Sequence, residues 1–327
     1  MKLSIINGAE SYDINLMPIT QLCGKDISKK RFIINSLSKH FSSSRYKDYE
    51  ADMEDNILID GNVAGREYFD VETVRGREDI EDEFRISRTS LAKQRLDNMI
   101  NRLDCQREIE NIRECLIRIY DELEKDFFDS ESNMEFAFND SDITGIIYES
   151  EVQMSDERAI ENASDFELIK NYILLLAKIQ SEEGEKKLII LENLDHLISV
   201  KEYNHIMKMI FEVCEKSDIR FIISTSIDGY VFLEKEYFEG INCINDIIYS
   251  MPEYEEIKNY IEFNYPVNYK FSDEEFKKML MTFLQNVGRE SYAFDVRGYI
   301  AERIINQSAC LKVNDPIGLR IPEMKFL

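Results

Sequence analysis

The chain has 327 residues, with 40 Lys and Arg against 64 Asp and Glu, so its net charge is −24. This length suffices for one large domain or two unequal ones. No apolar run approaches the ~18 residues of a membrane span, and the start MKLSIINGAE has no apolar segment long enough for a signal peptide, so we expect neither a membrane protein nor a secreted one. The six cysteines show no CxxC spacing, and we expect a cytoplasmic protein with reduced thiols.

The amino-terminal part is predicted to alternate strands with a helix. Short apolar or alternating runs predict strands over 2–7, 12–16, 18–23, 56–60 and 68–74, with the first two forming a hairpin. Apolar positions at helical spacing predict a helix from Lys29 to Phe41. The chain therefore opens as an α/β fold.

A long helical tract follows. Residues from Glu78 to Phe128 have apolar side chains at helical spacing and contain neither Pro nor Gly, which is typical of a helical hairpin or arm inserted into a sheet domain. Residues 129–163 are acidic and weakly patterned, and we predict loops with short helical pieces. A further helix is predicted over 165–182.

The next segments predict the centre of a sheet. Three apolar runs, at 187–192, 219–225 and 245–250, are joined by helical patterns, as the strands of a covered parallel sheet are. Beyond Pro252 helices are predicted at 253–264, 272–287 and 293–308, and residues 311–327 resemble an extended strap. We predict an α/β core (1–77 and 129–252), a helical arm (78–128) and a helical C-terminal extension (253–327).

The junction between the strand ending at Cys23 and the following helix resembles a phosphate-binding loop that has lost essential residues. A working loop reads GxxxxGK[ST]. Gly24 and Lys30 keep their places, but Lys29 replaces the second Gly and Arg31 replaces the hydroxyl that holds Mg²⁺. The predicted core is thus nucleotide-hydrolase-like, with a degenerate P-loop and a mostly parallel sheet.

The segment LIILENLDH (188–196) has the order of a second hydrolase motif, in which a strand ends in an acid that holds Mg²⁺ and a base follows. Glu192 takes the metal-ligand place, but Asn193 takes the place of the base, and an amide cannot accept a proton from water. Asp195 is an alternative base only if the strand ends before it. No LSGGQ-like signature precedes Leu188, and we predict that the protein is not an enzyme.

Positive charge is concentrated toward the amino terminus. Residues 1–107 hold 17 Lys and Arg against 19 Asp and Glu, whereas the remainder holds 23 against 45. We predict two groups of phosphate contacts: the junction group of Lys25, Lys29, Lys30 and Arg31, and the arm group of Arg85, Arg88, Lys93 and Arg95. Ordinary solvated helix faces are one alternative. For the junction group, holding the junction together or contacting another subunit is a further alternative.

Four segments resemble a known family: KLSIINGAESYDINLMPITQLCGKD, DNILIDGNVAGREYF, KKLIILENLDHLI and RFIISTS. They are similar to the Csn-two family of CRISPR adaptation proteins from type II-A systems, in its long form. The resemblance implies a helical leg, a homotetrameric ring that takes double-stranded DNA ends into a positive hole, and action in spacer acquisition beside the integrase and the effector nuclease. Short-form members bind Ca²⁺. No ligand set here matches theirs, so calcium is implied by the resemblance alone.

These observations predict a non-catalytic clamp on double-stranded DNA, with an acidic exterior that discourages nonspecific coating. Arg88 and Lys93 are expected to be exposed. Two alternatives remain: a residual ATPase motor that uses Lys30 and Glu192, and an acidic protein-protein scaffold that does not contact DNA.

Overall fold

The computed structural model describes residues 1–42, 46, 56–127, 142–183, 186–289, 296–309 and 311. The chain divides into two compact units: Met1–Arg77 with Gln180–Leu327, and Glu78–Ile179. The predicted division has an arm ending at 128 and an extension starting at 253, and these boundaries differ from those of the two units. The predicted division stays a prediction. The predicted strap lies outside the described residues except for Leu311, as do residues 129–141 of the predicted loop region.

The first unit contains ten strands among its described residues. They are β1 (Lys2–Asn7), β2 (Glu10–Asn15), β3 (Ile19–Cys23), β4 (Ile57–Ile59), β5 (Asn62–Val63), β6 (Asp70–Val74), β7 (Lys187–Glu192), β8 (Arg220–Ser224), β9 (Ile241–Ile244) and β10 (Ile248–Ser250). Its helices are α1 (Ile27–His40), α7 (Leu194–Leu197), α8 (Val200–Cys214), α9 (Tyr254–Asn264), α10 (Asp273–Phe283) and α11 (Val296–Ser308). The predicted alternation of strands and helices is confirmed.

Six of these strands form a mostly parallel sheet in the order β10-β9-β3-β8-β7-β6. Strands β6, β7, β8, β3 and β9 are parallel, and β10 pairs with β9 in the antiparallel sense. The runs LIIL of β7 and FII of β8 are buried, as strands covered on both faces require. The predicted α/β class with a mostly parallel sheet is confirmed.

The predicted strand over 245–250 is correct only in its second half. Residues 241–244 form β9, the chain turns at Asn245–Ile247, and β10 returns over Ile248–Ser250. The polar residues Asn245 and Asp246 separate the two strands at this turn, which contains neither Gly nor Pro. Asn245 instead stabilises the turn through bonds to a distant segment.

Helices and a second sheet cover the faces of the parallel sheet. The second sheet, ordered β2-β1-β4-β5, packs with α1 in one core that includes Leu3, Ile33 and Ile190. Helices α9, α10 and α11 contribute to another core, which includes Phe276, Ile300 and the strand residue Cys243. Leu22 and Cys23, which are adjacent in β3, belong to different cores, because successive side chains of a strand point to opposite faces.

The second unit is helical in its described part. It contains α2 (Arg77–Phe84, whose first residue belongs to the first unit), α3 (Leu91–Ile100), α4 (Leu103–Phe127), α5 (Asp142–Tyr148) and residues 165–179 of α6 (Asp165–Glu183). The predicted tract at 78–128 is thus broken into three helices. Ser90 ends the first break by capping α3, since its hydroxyl accepts a hydrogen bond from the Lys93 N–H. No helix in the described part of the chain has the length and apolar composition to span a membrane.

Candidate functional site

The candidate site lies at the carboxyl edge of the parallel sheet. Gly24 follows β3, Thr225 follows β8, and Glu192 ends β7, where it pairs with Ser224 across the strands. Ligands of open α/β sheets bind at this edge. Residues 24–31, which link β3 to α1, are called the Gly24 junction below.

Backbone geometry requires glycine at position 24. Its φ of +105° is a conformation that L residues rarely adopt, and an added Cβ would lie 2.3 Å from the backbone oxygen of Ile244. The chain therefore crosses β9 at a distance that only a residue without a side chain permits. Packing against Ile244 therefore requires Gly at this position, whether or not a phosphate is bound.

The backbone amides of the junction are already hydrogen-bonded within the chain. Gly24 N–H donates to Gln285 Oε1 at 2.5 Å, Lys25 N–H donates to Asn245 Oδ1 at 2.7 Å, and Asp26 N–H donates to the Ile244 carbonyl at 3.2 Å. In a phosphate-binding loop such successive amides point at phosphate oxygens. Here carboxamide and carbonyl oxygens of the protein accept these bonds. The three N–H groups are therefore not available to a phosphate.

Lys30 is buried beneath the junction, with 3% of its surface exposed. Its ammonium donates to the Gly24 carbonyl at 2.8 Å, the Thr225 carbonyl at 2.9 Å and Ser226 Oγ at 2.7 Å, which uses all three of its N–H groups. Burial lowers the pKa of Lys30, and the neighbouring Cys23 and Asp195 side chains act against that shift. Because its three N–H groups are all used within the protein, the contacts of Lys30 fit the alternative in which it holds the junction together.

Lys25 and Lys29 are half-buried and also bind the protein itself. Lys25 Nζ donates to the Ser226 carbonyl at 2.7 Å and to Asp228 at 2.8 Å. Lys29 Nζ donates to the carbonyls of Asn245 at 2.6 Å and Asp246 at 2.9 Å. These contacts fit the alternative in which junction residues hold neighbouring loops together.

Arg31 differs from the three lysines. It is exposed on α1 and forms no ion pair with any residue that the structure describes. Its guanidinium can therefore contact a phosphate without breaking an internal bond.

The acidic residues of the second motif are engaged as well. Glu192 accepts a hydrogen bond from Arg75 Nε at 3.2 Å. Asn193 takes a left-handed conformation, with φ of +61°, where β7 ends. Asp195 is buried, and its Oδ2 accepts the N–H groups of Ser226 at 2.6 Å and Ile227 at 2.8 Å. Asp195 thus fixes the loop after β8 through its Oδ2 atom.

Across the described ranges, no group of three or more His, Cys, Asp or Glu side chains is arranged to hold a metal ion.

In the second unit, Arg85 and Arg88 lie in the loop between α2 and α3 and are both exposed. Arg85 pairs with Asp82 at 2.5 Å and with Glu161 at 3.7 Å. Arg88 has no ion pair among the residues placed by the structure, so it is the arm residue most available to a polyanion.

Lys93 is less exposed than predicted. The Lys93 side chain is 24% exposed; its ammonium binds Asp97 and lies 3.6 Å from the centre of the Tyr148 ring, while Tyr148 donates to Asp97 Oδ1 at 2.7 Å. The hydrogen bond to Asp97 raises the pKa of Lys93, and those from Lys93 and Tyr148 lower the pKa of Asp97. Lys93 therefore ties α3 to α5, which corrects the expectation that it is exposed. Arg95 is half-buried on α3.

Sequence reasoning missed Gln285 and Asn245, whose side-chain oxygens accept hydrogen bonds from two backbone amides of the junction. They lie 261 and 220 residues from their partners Gly24 and Lys25. Neither belongs to a motif or stands at a helical or strand period that would set it apart. Only the tertiary fold brings them to the junction.

A family model described as "CRISPR-associated protein Csn2 subfamily St" matches residues 7–291. Among solved structures, the chain is similar to "Crystal structure of Stu0660 of Streptococcus thermophilus", with a TM-score of 0.81 over 99% of both chains and 19% sequence identity. At this identity the likeness shows the fold alone. No curated protein sequence matches the chain significantly.

Proposed function

Because the chain belongs to the Csn2 family of CRISPR-associated proteins, we propose that it acts in spacer acquisition as a non-catalytic protein that binds double-stranded DNA ends without sequence preference. It works in the cytoplasm as an oligomeric ring, a homotetramer by family resemblance, beside other adaptation proteins and the effector nuclease. The family predicted from the four sequence segments is confirmed.

One observation supports the non-catalytic part of this proposal: the donors of the Gly24 junction already form hydrogen bonds to other parts of the protein. The core of the junction is a degenerate P-loop of a nucleotide-hydrolase-like sheet: Gly24 and Lys30 keep their positions, but protein oxygens accept the bonds that phosphate oxygens would accept. A nucleoside triphosphate would have to displace Gln285, Asn245 and the ammonium contacts of Lys30. The junction therefore supports a structural role in place of hydrolysis.

The DNA-binding part rests on charge that is exposed and not already paired. Arg88 in the second unit and Arg31 on α1 meet this condition among the predicted cations. Arg85 is a weaker candidate because two carboxylates compete for it. In a ring of four copies, Arg31 and Arg88 alone supply about eight phosphate contacts, for which counterion release gives log K against log salt a slope of about −7.

A gel-shift assay tests the proposal. Linear and covalently closed duplexes of equal length are titrated with protein across a salt series, and we expect tighter binding to the linear form and the steep salt dependence above. Arg88→Glu is expected to weaken binding at least tenfold, because it replaces four attractive contacts of the ring by repulsion. Arg31→Glu should weaken it in the same direction.

Lys201→Glu is the matched control. It changes the charge by the same amount at an exposed position in the first turn of α8, where a carboxylate is favourable to the helix. It should retain wild-type binding. Equal losses for Lys201→Glu and Arg88→Glu would mean that overall charge, not a site, governs binding. An absence of any shift would favour the acidic scaffold, and ATP turnover that disappears in Lys30→Ala would favour the motor.

A further inference from the structure

The segment after α10 lies against the Gly24 junction. Gln285 is 1% exposed; its Oε1 accepts the Gly24 N–H at 2.5 Å, and its Nε2 donates to Thr225 Oγ1 at 3.3 Å. A single side chain of the segment after α10 thus binds residues at the ends of two parallel strands, β3 and β8.

Asn245, in the turn after β9, joins the junction to the same segment. Its Oδ1 accepts the Lys25 N–H at 2.7 Å, while its Nδ2 donates to the carbonyls of Gln285 at 3.1 Å and Val287 at 2.7 Å. The side chain is 2% exposed and uses its acceptor toward the junction and its two donors toward the segment. Asn245 is therefore a bridge, and neither Asp nor Leu can make the same bonds.

The connection extends to the last described helix. Ile247 N–H donates to the Gly288 carbonyl at 3.1 Å, and Gly288 N–H donates to Asn306 Oδ1 of α11 at 2.9 Å. Gly288 has φ of +88°, and an added Cβ would meet the Ile247 oxygen at 3.0 Å. A continuous series of hydrogen bonds thus runs from Gly24 through residues 284–288 to α11.

We propose that the Gly24 junction is an internal latch: it captures residues 284–288 through Gln285 and Asn245 and so fixes α10 and α11 against the sheet. The inference goes beyond the proposed function and does not depend on DNA binding. Apolar burial holds the C-terminal helices on the sheet but is not directional, whereas these bonds specify one position. Displacement of the segment leaves buried N–H and C=O groups at both ends without partners, which keeps the latch closed.

Hydrogen exchange of the full-length chain, measured by mass spectrometry without DNA, tests the latch. Gln285→Met keeps the length and apolar packing of the side chain but removes its hydrogen bonds. We expect exchange at least tenfold faster in peptides from 241–250, 280–289 and 296–308, with rates within twofold of wild type in β7 and α8. These changes correspond to local opening of the latched region.

Gln21→Met is the matched control. Like Gln285, Gln21 has a buried carboxamide, with 1% exposure, but it lies in β3. It binds the backbone of Phe232 and the hydroxyl of Tyr203, not residues 284–288. It should accelerate exchange at 230–233 and leave α11 unchanged. Asn245→Asp is a second test that keeps the acceptor for Lys25 but loses both donors, and it should reproduce the pattern of Gln285→Met.

Unchanged exchange of α10 and α11 in a folded Gln285→Met or Asn245→Asp protein would overturn the latch. Equal acceleration of α11 in Gln21→Met would overturn it as well, because general loosening of the sheet would then explain the effect. Should Gln285→Met not fold, the Asn245→Asp pattern alone decides between these outcomes.

Discussion

Substitution of Gly24 by Ala is expected to lower the free energy of unfolding of the first unit by about 3 kcal/mol or more, the sum of backbone strain at positive φ and an overpacked contact. The added Cβ would lie 2.3 Å from the Ile244 oxygen, which is backbone of β9 and has no flexible side chain to move aside. Chemical denaturation followed by far-ultraviolet circular dichroism measures this loss, since the chain has no tryptophan to report by fluorescence.

Gly8→Ala is the control for this substitution. Gly8 also has a positive φ, +61°, but no atom lies within 4 Å of the Cβ that Ala would add. The change should therefore cost only the strain of a left-handed residue, about 1–2 kcal/mol. Equal costs at the two positions would show that conformation alone, and not the close approach of β9, requires Gly24.

The sequence predicts the strands and helices of the sheet well because their burial pattern is local. The runs LIIL of β7 and FII of β8 are uninterrupted apolar segments, and the helix after Gly24 has its apolar side chains at helical spacing. The same reasoning is only partly correct at 245–250, because β10 covers the second half of this range while its first half forms a turn. That turn is specified by bonds from Asn245 to residues 40 and more positions away.

The breaks of the long helical tract have a different cause. Neither Pro nor Gly interrupts residues 78–128, yet α2, α3 and α4 are separate helices. Ser90 caps one helix, and Asn101 ends it with an amide that donates to the Asp97 carbonyl. The side chains of Ser and Asn compete with the hydrogen bonds of the helix and so favour helix ends. Both residues also occur inside helices, so the sequence alone does not show which of them ends a helix.

The candidate site is predicted only in part, for a reason visible at Lys30. The motif correctly places Lys30 in the first turn of α1 and indicates that a lysine there can reach a phosphate. It does not indicate whether other residues of the chain already form hydrogen bonds at the position of that phosphate, because this depends on tertiary contacts. Gln285 and Asn245 decide this question, and both are distant in sequence. Exposure of Arg31 and Arg88 likewise follows from packing, not from their spacing.

Lys30→Met is expected to destabilise the first unit by about 3 kcal/mol, because buried acceptors that lose a donor cost about 1–3 kcal/mol each and partly relax together. The substitution preserves the apolar stem and removes the ammonium that binds Gly24, Thr225 and Ser226. Denaturation by urea, compared with wild type under the same conditions, gives the difference.

Lys29→Met provides the comparison within the same helical turn. Lys29 also donates to two carbonyls, but its side chain is 22% exposed, so water can replace its bonds and the expected loss is below about 1 kcal/mol. A residual motor predicts the opposite order: Lys30→Met would then leave stability near wild type and abolish ATP turnover. The ratio of the two stability losses thus separates a lysine retained for the fold from one retained for chemistry.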